Sequence, residues 1–413
     1  MRITGVFARE VLDSRGNPTV EAEVKNREAS ARAIAPSGAS TGMHEAHELR
    51  DGGKRFLGKG VLNAVQNVNG IIGPALLGME LSEQQKIDGK MVALDGTENK
   101  SNLGSNAMVA VSMAAMKAAA MEKKKQVYQH LGGRLLPIPM LNILNGGKHA
   151  GNSLAIQEFM IIPKWPGSFR NAMEMASEIY HVLGKRLEKK YGAGARNVGD
   201  EGGFAPNLKD CHAALDEIQG AVEEAGYGEK IGIGLDAAAS SFYEGRVGKY
   251  SIDGKRLDSG ALLDYYLETV SKYKIISMED PFHEDDFDSF AAITAKIGAN
   301  VQIVGDDLLV TNPRRLETAI KKKAVNALLL KINQIGTVSE SLRVAEMCKK
   351  NGIRVVVSHR SGESEDSFIA DFAVGIEAGQ IKSGAPARGE RTAKYNQLLR
   401  IEEDPRVSMA RVF

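Results

Sequence analysis

Short apolar runs recur through the last two thirds of the chain, and each is followed by a stretch of helical period. They fall at residues 137–144, 159–163, 231–236, 275–280, 301–307, 327–332, 354–359 and, more weakly, 375–383. Runs of this length bounded by turn formers read as buried strands, and strands alternating with helices predict a mostly parallel sheet. Eight of them in about 280 residues predict a closed TIM-like α/β barrel. The earlier part has a different texture. Two β-type stretches, 3–12 and 19–24, flank a turn-forming SRGNP and predict a hairpin. A Gly/Ser loop follows, PSGASTG at 36–42, then helical patterns over 61–77 and 106–129 with no further strong strand. The expected architecture is α/β overall: a smaller α+β N-terminal capping domain over 1–131, and a barrel domain over 132–413 that carries the site.

The carboxyl ends of the runs share a feature. GIGLD ends in Asp236, IISMED in Glu279 and Asp280, QIVGDD in Asp306 and Asp307, ALLLK in Lys331, and VVVSHR in His359 and Arg360. Barrel enzymes place their active sites at the carboxyl ends of the strands, so five consecutive ionisable ends point to one shared site.

Composition narrows the function classes. Lys plus Arg is 53 against Asp plus Glu 52, without the basic excess of a nucleic-acid or acidic-membrane binder. The two cysteines, Cys211 and Cys348, exclude a disulfide framework and suit a reducing compartment. The opening MRITGVFARE lacks the apolar core of a secretory signal, and the Ala/Met/Val run at 107–116 is too short to span a bilayer. A soluble cytoplasmic protein is expected.

Asp236, Glu279 and Asp306 would gather three carboxylates at the barrel mouth, where a cation relieves their repulsion. All-oxygen ligands favour Mg²⁺ over Zn²⁺. The alternative is that each caps a helix N-terminus. Lys331 leaves a buried strand near Lys382 on the last strand; desolvation and a neighbouring cation would lower its pKa and make it a general base. A snorkelling structural lysine and a Schiff-base nucleophile are the competing readings. Glu158 in QEFM and Glu201 in GDEGG are candidates for the acid side of the chemistry, or surface and capping glutamates. His149 sits in the glycine-rich GGKHAGN and His359 at a strand end, with Arg360 and Ser361 beside it suited to a phosphate.

Together the motifs resemble the enolase family nearly end to end: SRGNPTVE, PSGASTG, NGGKHAGN, QEFMI, GDEGGFAPNL, EDPF, GDDL, KINQIGT, SHRSGESEDSFIAD and KSGAPARGERTAKYNQLLRIEE, in that order. The resemblance implies reversible, Mg²⁺-dependent dehydration of 2-phospho-D-glycerate to phosphoenolpyruvate, with two Mg²⁺ per site. It makes Asp236, Glu279 and Asp306 ligands of the first ion and Ser40 a ligand of the second. Lys331 becomes the base at C2 and Glu201 the acid for the C3 hydroxyl, with Glu158 and Gln157 nearby. His149 lies on a closing loop, His359 at the substrate end, Arg360 and Ser361 on the phosphate, and Lys382 on the carboxylate. A homodimer or ring of dimers is also implied. The hairpin after Val24 is shorter than is usual, similar to archaeal members, and Ser241 replaces a common Glu that could adjust the surroundings of Asp236. A Schiff-base aldolase using Lys331, or a non-catalytic scaffold role, are the alternatives; Phe413 at the end lacks the terminal lysine associated with some scaffold roles.

Overall fold

In the computed structural model, residues 1–39, 42–147 and 150–413 are described. The hairpin pairs Gly5–Leu12 with Pro18–Lys25, from Gly5 opposite Lys25 to Leu12 opposite Pro18. Asp13 closes its turn, accepting the backbone N–H groups of Arg15 at 2.8 Å and Asn17 at 2.9 Å. Gly16 sits at φ 73°, where a side chain would be strained. A third strand, Ser30–Ile34, extends the sheet and was not expected; SARAI has one β-branched residue and gives little strand signal. The helix Gln84–Asp95 was also not expected, and the helical pattern over 106–129 divides into Ser105–Glu122 and Val127–Leu131.

Val20, Ala22 and Val24 alternate along the middle strand and are all 0% exposed. The helix Ser105–Glu122 lies against this sheet, buried nearly all round, its alanines letting helix and strands approach closely. Among the described residues no helix is long and apolar enough to cross a membrane.

The barrel closes from eight strands: Ile138–Asn145, Glu158–Pro163, Ile231–Asp236, Ile275–Glu279, Gln302–Gly305, Ala327–Leu330, Arg354–Ser358 and Gly379–Lys382. The last pairs with the first, Lys382 opposite Met140. One strand departs from the parallel pattern. Glu158–Pro163 runs antiparallel to both neighbours, with Glu158 opposite Asn145 on one side and Asp236 on the other. Its amino end therefore lies where the other strands have their carboxyl ends.

Side chains alternate across a strand, so one parity of each strand fills the barrel. Ile138, Met140, Met160, Ile162, Val304, Ala327, Leu329 and Val356 form a separate interior cluster. The opposite parity faces the helices and belongs to the larger outer core. Continuing the inward parity toward the carboxyl ends leads to Asn142, Asp236, Glu279, Lys331 and Lys382; on the reversed strand it leads backwards to Glu158.

Candidate active site

Lys382 is at the centre of the mouth. Its Nζ donates to Asp236 Oδ2 at 3.0 Å and to Glu279 Oε1 and Oε2 at 2.9 Å, and lies 3.2 Å from Glu158 Oε1. These four residues come from the eighth, third, fourth and second strands, and all are buried. One ammonium group faces three carboxylates. Burial and the Asp236 charge raise the pKa of Glu279 well above the ordinary carboxylate value, and burial with the Glu201 charge does the same for Glu158. Burial works against the charge on Lys382, but the carboxylates around it win and push its pKa up.

Lys331 extends from the sixth strand to Asp306 Oδ2 at 2.5 Å, and Gln334 Nε2 donates to Asp306 Oδ1 at 2.9 Å. The expectation of a lowered Lys331 pKa is corrected by this pair. Burial, Arg360 and Lys382 do pull it down, but Asp306 overrides them and Lys331 is held above the ordinary lysine value. Burial disfavours the charge on Asp306 too, yet Lys331 keeps that carboxyl below its ordinary value.

Glu201 approaches the same pocket from the loop between the helices Phe169–Tyr191 and Cys211–Glu224. Its Oε2 accepts from Asn142 Nδ2 at 3.1 Å and lies 3.4 Å from His359 Nε2. Gly384, at φ 73°, lets the last strand's loop come close: a Cβ there would stand 2.6 Å from the Glu201 carbonyl oxygen. Gln157 Nε2 reaches Asp236 Oδ2 at 3.4 Å. Arg360 forms a two-pronged pair with Glu45, at 2.8 and 3.0 Å. The Ser361 hydroxyl accepts the Ala39 N–H at 2.6 Å. Gln157, Glu158, Glu201, Asp236, Asp306, Lys331, His359, Arg360, Ser361 and Lys382 all line one small pocket. Glu279 lies beneath it, bonded to Lys382. Ser40 and His149 fall outside the described residues.

The helix-cap alternative for the carboxylates does not hold. Six of the long barrel helices are capped by Ser168, Asp210, Asp258, Asp286, Asn312 and Thr337, and the seventh, Gly389–Ile401, has no side-chain cap. Asp280, Asp306 and Asp307 present oxygens within 4.8 Å of one another. Asp280 has a local task, however, since its carboxylate accepts the backbone N–H of Asp306 at 2.9 Å and of Asp307 at 2.6 Å and so fixes the fifth strand's loop. Burial and Asp306 push the Asp307 carboxyl up to about 8. Ser241, of which little effect on Asp236 is expected, is exposed, with its N–H bonded to the Ala238 carbonyl.

The donor set fits a divalent cation. Asp236, Glu279 and Asp306 offer hard oxygen ligands in a setting where carboxylates outnumber the cations that neutralise them. Asn142 Oδ1, both polar atoms of the Asn145 side chain and Gln157 Oε1 are buried there without a hydrogen-bond partner among the described residues. Buried polar atoms left in this condition mark places for a ligand, ion or water.

Four residues of the site escaped the sequence reading: Asn142, Glu45, Gln334 and Arg391. Asn142 lies within an apolar run and Glu45 just beyond PSGASTG, while Gln334 and Arg391 lie inside KINQIGT and KSGAPARGERTAKYNQLLRIEE, motifs read for other members. Arg391 is fully buried in a helix of polar composition, where only its spacing with Tyr395 and Leu398 signals the buried face.

Comparison with known proteins agrees with this geometry. Residues 3–131 match the family model for the enolase N-terminal domain, and 133–409 match that for the enolase C-terminal TIM barrel domain. Curated relatives named enolase include those of Thermococcus gammatolerans, 57% identical over 407 residues, and Pyrococcus furiosus, 56% identical over 407 residues, each alignment covering 97% of this chain and 95% of the relative. The enolase of Methanocaldococcus jannaschii is 57% identical over 406 residues, with the same coverage. With both parts of the chain matched and more than half of its residues shared across nearly its full length, the chain belongs to the enolase family.

Proposed function

We propose that the chain removes water from 2-phospho-D-glycerate to give phosphoenolpyruvate, reversibly, as a lyase of glycolysis and gluconeogenesis. The observation that carries this reading is one buried pocket lined both by Lys331 and by Glu201, with the acidic donor set beside them. A base and an acid reaching one pocket from different elements are what an elimination across two neighbouring carbons needs.

In the proposed reaction Lys331 Nζ takes the proton from C2. The Glu201 carboxyl gives a proton to the C3 hydroxyl, which leaves as water with the C–O bonding electrons, while the former C2–H pair becomes the new double bond. Lys331 must first lose its own proton. Its pair with Asp306 opposes that, and Arg360 and Lys382 favour it once Asp306 serves as a ligand. A divalent cation is the family's cofactor; Mg²⁺, two per site, is proposed here, held by Asp236, Glu279 and Asp306 for the first and with Ser40 for the second. Such ions, when bound, supply positive charge opposite the negative charge that develops on the substrate carboxylate. Lys382 adds fixed charge on the same side. Arg360 and Ser361 bind the phosphate, Glu45 yielding the guanidinium, while His359, Gln157, Glu158 and the loop of His149 complete the substrate site.

Residues 1–131 act as the capping domain and 132–413 as the catalytic domain, and a cytoplasmic homodimer or ring of dimers is the proposed assembly and location. The Schiff-base alternative is disfavoured by the enolase family models, which match residues 3–131 and 133–409. The test is phosphoenolpyruvate absorbance from 2-phosphoglycerate with Mg²⁺, with chelator and with Lys331→Ala. Activity that needs both the metal and Lys331 is expected. Turnover that survives chelator would overturn the metal-dependent elimination.

A further inference from the structure

The helix Gly389–Ile401 covers one flank of the site, and its buried face is not apolar throughout: Arg391 and Lys394 share it with Tyr395, Leu398 and Ile401. Lys394 pairs with Glu363 at 2.8 Å. Arg391 is used differently. Its Nη1 donates to the Arg360 carbonyl at 2.5 Å and contacts His359 Nδ1 at 2.6 Å, while Nη2 donates to the carbonyls of Ser361 at 2.5 Å and Asp200 at 3.0 Å. Its Nε lies 3.5 Å from Glu390 Oε1. One guanidinium thus bonds the loop that carries Glu201 to the loop that carries His359, Arg360 and Ser361.

A guanidinium only donates, and it stays protonated. A contact of 2.6 Å to His359 Nδ1 therefore requires that nitrogen to offer its lone pair, which puts the ring proton on Nε2. Burial keeps the ring neutral against the pull of the nearby carboxylates. Burial drives the His359 pKa down to about 4, with Arg391 adding to the effect and Glu201 and Glu363 opposing it. Glu363 is itself neutralised by Lys394, and Arg360 is directed to Glu45.

We propose that Arg391 is a positioning residue, which holds His359 in its Nε2–H form, so that an N–H and not a lone pair faces Glu201 Oε2, 3.4 Å away. This deepens the role given to Glu201 above and rests on it. An N–H facing that carboxyl has no lone pair to take its proton. The proton on Glu201 is then kept for the leaving hydroxyl.

The first test needs no substrate. Wild-type protein labelled with ¹⁵N-histidine is examined by long-range ¹H–¹⁵N spectra, with His359 assigned through His359→Gln. The expected result is a bare Nδ1 and a protonated Nε2 from about pH 5 to 9. An Nδ1–H tautomer, or an imidazolium in that range, overturns the proposal. The second test is Arg391→Lys, which keeps the charge and loses the fork; kcat should fall about 10- to 100-fold with a smaller change in KM and a mixed His359 tautomer. Unchanged kcat in folded Arg391→Lys also overturns it. Should Arg391→Lys not fold, the wild-type spectrum still decides. Inactive wild-type protein that shows the Nε2–H form would count against the proposed reaction and not against the placement of the ring proton.

Discussion

The two ends of the barrel interior treat polar groups in opposite ways. At the floor, Gln302 and Gln380 exchange side-chain amide bonds at 3.0 and 2.9 Å, and Ser277 takes a further N–H from Gln302 at 3.3 Å. This small network is neutral and closed on itself. At the mouth, on strands of the same barrel, like charges crowd around Lys382 and neutral amides are left with atoms unpaired. Satisfied polar groups stabilise a core, whereas unsatisfied ones and raised carboxyl pKa values concentrate where ligands and chemistry are to be accommodated. The difference locates the functional end without reference to any motif.

The comparison breaks most visibly in activity. Glu201→Gln keeps the shape of the mouth and removes the acid, and kcat should fall by about 10²- to 10⁴-fold in the phosphoenolpyruvate assay. A Glu201→Gln variant with kcat close to that of wild type would remove Glu201 from the chemistry. Stability gives the next largest effect. Lys382→Met strands three buried carboxylates and should cost about 3–5 kcal/mol in denaturant unfolding measured with chelator, and less with a divalent ion present. An equal loss in both conditions would mean that the mouth does not hold a cation. The floor should respond more mildly and without ions: Gln380→Leu leaves the Gln302 amide unpaired at about 1–3 kcal/mol, while the double change Gln302→Leu with Gln380→Leu should recover most of that. Both floor variants should keep wild-type kcat.

The smallest effect lies away from both ends. Burial pushes the Asp371 carboxyl up to about 6, even though the Tyr128 N–H and Gln397 amide bond to it. Below its ordinary value of 3.8 the carboxyl is protonated in folded and unfolded chains alike, and the folded state loses stability as pH rises from there through about 6. Asp371→Asn should therefore raise Tm by about 2 °C at pH 8 and leave it unchanged near pH 4. A gain that persists in acid would assign the effect to packing instead of charge.

Much of this was legible in the chain. All eight barrel strands show as apolar runs, and the ionisable residues at their carboxyl ends mark the mouth because strand parity carries them inward. Glu158 was legible as a candidate in QEFM, but the direction of its strand was not. It stands before its run, on the end that a parallel strand would turn away from the site, and a short apolar run reads the same in either direction. Asn142 was hidden within an apolar strand, and Arg391 within a helix whose composition looks solvated. The strand Ser30–Ile34 carries too few β-branched residues to stand out, and it is held by its pairing with the hairpin. The charge state of Lys331 was misjudged for a different reason. Its strand identified the cations near it, but only the fold brings Asp306 to 2.5 Å.

The reversed second strand has a consequence for the path of the chain, one of parity. Having gone up the first strand and down the second, the chain stands at the floor at Pro163, and the third strand must also start from the floor, at Ile231. Any connection between two points on one level makes an even number of passes, so a single helix would leave the chain at the wrong end. This chain makes two passes, Phe169–Tyr191 rising and Cys211–Glu224 descending, and the turn between them falls at the mouth. That turn is tied there by the Phe204 N–H to Ile143 and the Asn145 N–H to Phe204. Glu201 rides on it. A barrel of regular strand–helix units has no helix-to-helix turn at this level, so the inversion of one strand gives this mouth an additional segment, and that segment delivers the carboxylate that shares a pocket with Lys331.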